Sequence, residues 1–142
     1  MAGKTRARFF WVLNRTLNRL TVRAARSRRG PFSLVRHVGR RSGRERAVIL
    51  GYYEDGPNLV TLAMNGWGAG EPAWWLNLRA QPNASVTLKD GARPVRARAA
   101  EGEERQRLWD GFRAYAGWGD DIDVYARLRS TETAVVVLEP RA

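Results

Sequence analysis

The stretch FSLVRHVGRRSGRERAVILGYY, residues 32–53, decides the fold. Two apolar runs, 32–38 and 46–53, flank a turn with glycine at both ends, Gly39-Arg40-Arg41-Ser42-Gly43. Apolar runs of this length bounded by glycine read as strands, so the segment is a hairpin. The glycines allow the positive φ that aims backbone N–H groups into one concavity, and two arginines and a hydroxyl add donors around it. The turn is a candidate anion site; the competing reading is a basic hairpin on a solvated edge.

Outward from the hairpin the pattern repeats. Asp55-Gly56-Pro57-Asn58 is a turn, and residues 59–64 form a further strand that runs into the Gly-rich segment Met64-Asn65-Gly66-Trp67-Gly68-Ala69-Gly70. Pro72 opens a short helix, with Trp74, Trp75 and Leu78 behind it at helical spacing. Residues 84–89 and 93–100 read as a hairpin around Asp90-Gly91, residues 103–116 as a helix with Leu108, Trp109, Phe112 and Tyr115 on one stripe, and residues 134–138 as a closing strand. Six short strands interrupted by two or three helices imply a mainly β (α+β) fold, a small barrel or curved sheet with helices capping its ends.

The charge is unevenly placed. Net charge is +11, yet 13 of the 25 Lys and Arg precede the first acidic residue, Glu45, which leaves 12 basic against 14 acidic residues from there on. Residues 5–24 read as an amphipathic helix, with Phe10, Leu13, Leu17 and Leu20 on one face and Arg8, Arg15, Arg19 and, continuing the spacing, Arg26 opposite. Two readings stay open for it: an anchor on an anionic membrane surface, or a helix packed on its own barrel with a solvated basic face. Residues 25–31 have the charge and Gly-Pro of a linker. The expected organisation is a basic N-terminal helix and linker over 1–30 and a barrel domain over 31–142. No apolar run approaches the roughly 18 residues of a transmembrane helix, so a cytoplasmic location, with peripheral contact at the membrane's inner face, is the expectation.

Catalytic chemistry is constrained by what is missing. Without cysteine there is no thiolate nucleophile and no Cys-based metal centre, and with His37 as the single histidine a multi-histidine site is excluded. Asp120, Asp121 and Asp123 lack the glycine and terminal Glu of a calcium loop, so no metal is expected. A nucleic-acid-binding module is the competing class, given a pI near 11.4. The slightly acidic composition beyond Glu45 and the lack of a recognition-helix, RRM or zinc pattern oppose it, so no nucleic-acid partner is expected.

The 63–70 segment can take a planar ligand: glycine permits close backbone approach, Met64 or Trp67 can cover a ring face, and Asn65 or main-chain groups can hydrogen-bond its edge. The alternative is a long turn with Trp67 as a plug. Together, Gly39-Arg40-Arg41-Ser42-Gly43, Arg46, Asp55-Gly56, Ala63-Met64-Asn65-Gly66 and the run Pro72-Ala73-Trp74-Trp75-Leu76-Asn77-Leu78-Arg79-Ala80-Gln81-Pro82 resemble the deazaflavin-dependent nitroreductase and F420H2-dependent quinone reductase family of actinobacteria. The resemblance covers roughly residues 32–140. It implies a split β-barrel of the flavin-reductase and FMN-binding kind and coenzyme F420, a deazaflavin carrying a phosphodiester and a poly-γ-glutamate tail.

On this resemblance Arg40, Arg41, Ser42, Gly43 and Arg46 match the segment that binds phosphate and tail. Ala63, Met64, Asn65, Gly66 and Trp67 match the ring loop, and Trp74 and Asn77 the helix that positions that loop. Tyr125 stands about where the family places a substrate-side tyrosine; no catalytic side chain is otherwise assigned. Relatives that reduce bicyclic nitroimidazoles have Ser-Lys-Gly-Gly where this chain has Met64-Asn65-Gly66-Trp67, so the expected reaction is hydride transfer to a quinone or another activated conjugated acceptor. A non-catalytic F420 or lipid carrier of the same fold is the alternative, as are FMN or haem in the same barrel. A homodimer is expected by analogy alone.

Overall fold

Apolar alternation and glycine punctuation commit seven segments to strands in a computed structural model that describes residues 32–114 and 122–141. They are β1 (Phe32–Val38), β2 (Glu45–Gly51), β3 (Tyr53–Asp55), β4 (Asn58–Ala63), β5 (Asn83–Leu88), β6 (Gly91–Ala99) and β7 (Ala134–Pro140). The helices are α1 (Ala73–Ala80), α2 (Gly102–Ala114) and α3 (Ile122–Leu128). The amphipathic helix and linker read over residues 5–31 and the stripe residue Tyr115 lie outside the described residues. No helix among the described residues is long and apolar enough to cross a membrane.

The strands form one antiparallel sheet in the order β2-β1-β5-β6-β7-β4-β3. The single strand expected over 46–53 is two. Gly51, with no side chain to pack, lets the chain bend after β2, and Tyr53 then pairs with Val60 of β4 instead of continuing along β1. The Thr61 hydroxyl donates to the Gly51 carbonyl at 2.7 Å, so the end of β2 is held against β4 and the sheet curls on itself. The result is the split half-barrel expected from the resemblance.

Each face of the curl has its own core. Val35, Ala84, Val86, Val95, Val136 and Leu138 line one face, where α1 inserts Trp75 and Leu78. Val60, Leu62, Val135 and Val137 line the other, covered by Leu108, Trp109 and Phe112 of α2 and Ile122 of α3. β4 and β7 are buried on both faces, which explains their continuous apolar runs. At about 1.5–3 kcal/mol for each fully buried large apolar side chain, these two layers supply the main driving force.

Helix α2 sits closely on the sheet because Gly111 has no side chain: the Tyr53 ring lies over it, donating its hydroxyl to the Leu108 carbonyl at 2.6 Å and meeting Phe112 edge-on at 4.7 Å. Arg98 bridges Glu139 of β7 and Glu104 of α2, and Arg107 pairs bidentately with Asp55 at 2.8 and 3.0 Å. Helix α3, for which no periodicity in the sequence predicts a helix, is tied to α2 through Asp123, which accepts from Trp109 Nε1 at 2.9 Å and from Arg113. Arg113 and then Trp109 hold the Asp123 carboxyl down to about 2.

The strand registers decide where the site stands. Arg36 faces Ser85, Asn83 faces Arg96, Ala97 faces Leu138 and Ala134 faces Ala63. The end of β1, the start of β5, the end of β6, the start of β7 and the end of β4 therefore share one rim. The 39–44 turn and the 64–70 loop both open there, and α1 crosses between them.

Candidate functional site

The turn between β1 and β2 is built by its glycines. Gly43 has φ 69°, and a side chain at Gly39 would lie 2.8 Å from Ser42 Oγ. The Gly39 amide donates to the Arg44 carbonyl and the Gly43 amide to the Gly39 carbonyl, at 2.8 and 2.9 Å. Ser42 Oγ accepts from the Arg44 amide at 3.2 Å, which leaves its O–H free to donate elsewhere. The N–H groups of Arg41 and Ser42 have no acceptor among the described residues. Nor do Arg41, Arg44 and Arg46 have a carboxylate partner there, so the turn presents amides, a hydroxyl and uncompensated guanidinium groups together.

Arg40 stands apart from that set. Its backbone N–H and its Nη1 both donate to Asn77 Oδ1, at 3.1 and 2.8 Å, so one buried side-chain carbonyl on α1 fixes the turn. Asn77 was expected to position the 63–70 loop; the bonds it makes are to the other segment. Pro72 precedes the helix by one position, and its carbonyl accepts from the Trp75 and Leu76 amides. His37 on β1 is buried opposite Arg46, with Nδ1 3.4 Å from the Val35 carbonyl; burial foremost, and the charge of Arg46, push it below the usual imidazole range.

The second segment begins where Ala63 ends β4. Asn65, Gly66 and Trp67 have φ of 50, 62 and 65°, three consecutive left-handed residues after a right-handed Met64. For tryptophan this conformation costs about 1–3 kcal/mol and persists only where its surroundings enforce it. The amides of Asn65 and Gly66 have no acceptor among the described residues. A right-handed residue followed by a left-handed one is the backbone nest that receives electronegative atoms. The Asn65 side-chain N–H₂ is taken by the Ala69 and Gly70 carbonyls at 3.0 and 3.2 Å and its own carbonyl by the Gly68 amide at 3.1 Å, so its Oδ1 and its backbone N–H remain for a ligand.

Trp67 and Met64 lie half-buried against the second core, and Trp67 stacks on Tyr125 with centroids 5.8 Å apart and ring planes at 25°. The structure thus joins the ring-loop candidate to the tyrosine assigned to the substrate side. Tyr125 is 44% exposed, next to Val124 and Leu128 on α3. No hydrogen bond among the described residues joins the basic turn directly to the 64–70 loop; α1 is the element between them. Arg44, Thr131 and Arg129 were not singled out in the sequence. Arg44 belongs to the free basic set, Thr131 Oγ1 accepts from the Gly70 amide at 2.9 Å, and Arg129 is buried against the loop.

A curled antiparallel sheet with helices on both faces is a split-barrel fold. A FAD-binding protein of Mesorhizobium loti shares the fold at 12% identity, with a TM-score of 0.54 over 80% of this chain and 83% of that one. The family model for F420H(2)-dependent quinone reductase matches residues 6–140, and the chain belongs to that family, whose cofactor is coenzyme F420.

Rv3178 of Mycobacterium tuberculosis, named as a candidate F420H(2)-dependent quinone reductase, is 31% identical over 117 residues, which span 78% of this chain and 91% of that protein. Two solved structures align at 28% identity and a TM-score of 0.67 over 77% of this chain. One is the F420-H2 dependent reductase FDR-A, of which 94% is covered; the other, a domain-swapped dimer, is covered over 80%.

Proposed function

We propose that this protein transfers hydride from reduced F420 to a quinone or another activated conjugated acceptor at the shared rim. The supporting observation is the pairing of two donor sets of different character on that rim. Arg41, Ser42 and Arg46, with Arg44 beside them, offer charge-assisted donors to a phosphodiester and carboxylate tail, Gly43 gives the turn its left-handed corner, and Arg40 holds the turn through Asn77. Ala63, Met64, Asn65, Gly66 and Trp67 offer a glycine-lined approach and two free amides to the edge of a planar ring. The donor chemistry at both places suits the cofactor.

The coenzyme supplies the redox chemistry when bound. The chain's own part is to bind, orient and exclude water. The basic turn neutralises the anionic tail, and the nest at Asn65 and Gly66 sets the in-plane orientation of the ring. The stacked Trp67 and Tyr125 give an apolar wall against which a flat acceptor can lie. Solvent or the Tyr125 hydroxyl returns the proton to the reduced product, so no buried acid is required.

Met64 and Trp67 narrow the space above the ring and offer no cation to a developing nitro anion. Oxidation of F420H2 should therefore be fast with menadione or a cyclic enone and slow with a bicyclic nitroimidazole. Turnover of the nitroimidazole alone would overturn this reading, and tight F420 binding with no turnover of any of the three would favour a carrier.

The location that fits is cytoplasmic, with residues 5–24 resting on anionic lipid, where each basic residue adds roughly 1 kcal/mol. Vesicles containing phosphatidylglycerol should sediment the full chain and leave a chain starting at Gly30 in solution; equal sedimentation of the two would remove the membrane contact. A homodimer is the assembly we propose from the likeness to a domain-swapped dimer, and a monomeric mass in solution would exclude it.

A further inference from the structure

We propose that Arg129 is the positioning residue of the ring loop: its guanidinium holds residues 63–70 in the left-handed conformation that leaves the Asn65 and Gly66 amides available to the cofactor. This rests on the reading of that loop given above.

Arg129 is 8% exposed. Nε donates to the Gly68 carbonyl at 2.9 Å, Nη2 to the Gly70 carbonyl at 2.7 Å, and Nη1 to the Ala63 carbonyl at 3.2 Å and to Thr133 Oγ1 at 2.7 Å. All of these acceptors are neutral, and no carboxylate among the described residues lies within ion-pairing distance. A buried guanidinium is normally retained for a paired carboxylate, since taking its charge out of water is costly. Here burial lowers its affinity for the proton, with only Glu71 at longer range acting the other way.

What the side chain gains is three carbonyls of one loop. The Ala63 carbonyl lies just before the left-handed residues 65–67, and those of Gly68 and Gly70 lie just after them. A planar fork of fixed donors brackets the strained turn from both sides, which a single ammonium cannot do. The same segment of chain adds Thr131, whose hydroxyl takes the Gly70 amide, and Asn65 closes the loop on itself by donating to the Ala69 and Gly70 carbonyls. With the carbonyls on either side of the nest gathered inward, Asn65 and Gly66 keep free N–H groups in a conformation that Trp67 would not adopt unaided.

The test separates the loop from the chemistry. In the cofactor-free protein, Arg129→Ala should raise hydrogen exchange at least tenfold at the hydrogen-bonded amides of the loop, Trp67, Gly68 and Gly70, and leave the bonded amides of the β1–β2 turn, Gly39 and Gly43, protected as in wild type. With F420H2 and menadione, kcat should fall by about 10–100-fold, as expected when a reacting ring is misplaced by an ångström. KM for F420H2 should change by less than about threefold, because the tail remains on the basic turn. Added guanidinium should recover part of kcat and ethylammonium should not, and Arg129→Lys should resemble Arg129→Ala.

Arg105→Ala, which removes a bond to the Thr133 carbonyl and a contact over Trp109, controls for general loss of packing and should leave kcat and loop exchange alone. Should Arg129→Ala fail to fold, Thr133→Val, which removes one anchor of the guanidinium, should show the same changes in smaller degree. Wild-type exchange at 64–70 together with wild-type kcat, in either variant, would overturn the proposal. If wild type itself fails to bind F420, the proposed function falls, while the exchange measurement still decides whether Arg129 clamps the loop.

Discussion

Asn77→Leu is expected to raise the KM for F420H2 about tenfold, equivalent to about 1.4 kcal/mol of binding, with kcat changed by no more than about twofold. The buried Oδ1 of Asn77 is the acceptor for both the backbone N–H and Nη1 of Arg40. Leucine fills the same space but leaves that N–H unsatisfied, at about 1–3 kcal/mol, so the melting temperature should fall as well. Asn77→Asp presents a carboxylate oxygen at the same place, and a charge-assisted bond to Arg40 should keep the turn and the affinity. Steady-state kinetics at varied F420H2 on the three proteins would decide the matter. A Leu variant with the wild-type KM would mean that the turn either holds its shape without α1 or does not bind the tail.

The second large effect is one of sign. Gly→Ala within a helix ordinarily stabilises by roughly 0.5–1 kcal/mol. At Gly111 of α2 the added Cβ would lie 2.5 Å from the Tyr53 hydroxyl oxygen and 2.9 Å from its Cζ. That ring is held by the bond to the Leu108 carbonyl and by its edge contact with Phe112, so it cannot retreat without loss. Overpacking of this kind costs typically 1–3 kcal/mol, and Gly111→Ala should lower the melting temperature by several degrees instead of raising it. In a Tyr53→Phe background the penalty should shrink, because the nearest clashing atom has gone; the double-mutant cycle isolates that contact. Thermal denaturation showing Gly111→Ala at or above wild type would refute the close approach.

The hairpin over 32–53 and the turn within it were legible because glycine and arginine announce themselves locally: one fixes backbone options, the other charge. The split of the second strand was also written in the chain, in Gly51, but a glycine inside an apolar run does not say whether the strand bends or continues. Helix α3 was not readable. Seven residues carry too little periodicity, and the apolar Val124, Tyr125 and Leu128 face outward, against the usual pattern. Arg129 gave no signal either, since one of two arginines in Arg127-Leu128-Arg129-Ser130-Thr131 looks like surface. Its burial follows from four acceptors: Thr133, just before β7, and three carbonyls of β4 and the loop after it, about sixty residues away in sequence. The helix carrying Asn77 is legible from Pro72 and the spacing behind it, but its bond to Arg40 is not, because the registers that bring α1 against the first turn are a property of the whole sheet.

The two grips on the rim are opposite in polarity: a carbonyl oxygen on α1 gathers donors from one segment, and a guanidinium after α3 gathers carbonyls from the other. Neither involves Met64 or Tyr125. Inheritance can therefore act on the two layers separately. On the proposed function, a lineage that exchanges Met64 or Tyr125 would alter what is reduced while the two grips are passed on intact, and descendants of one ancestor could diverge in substrate without losing their reductant.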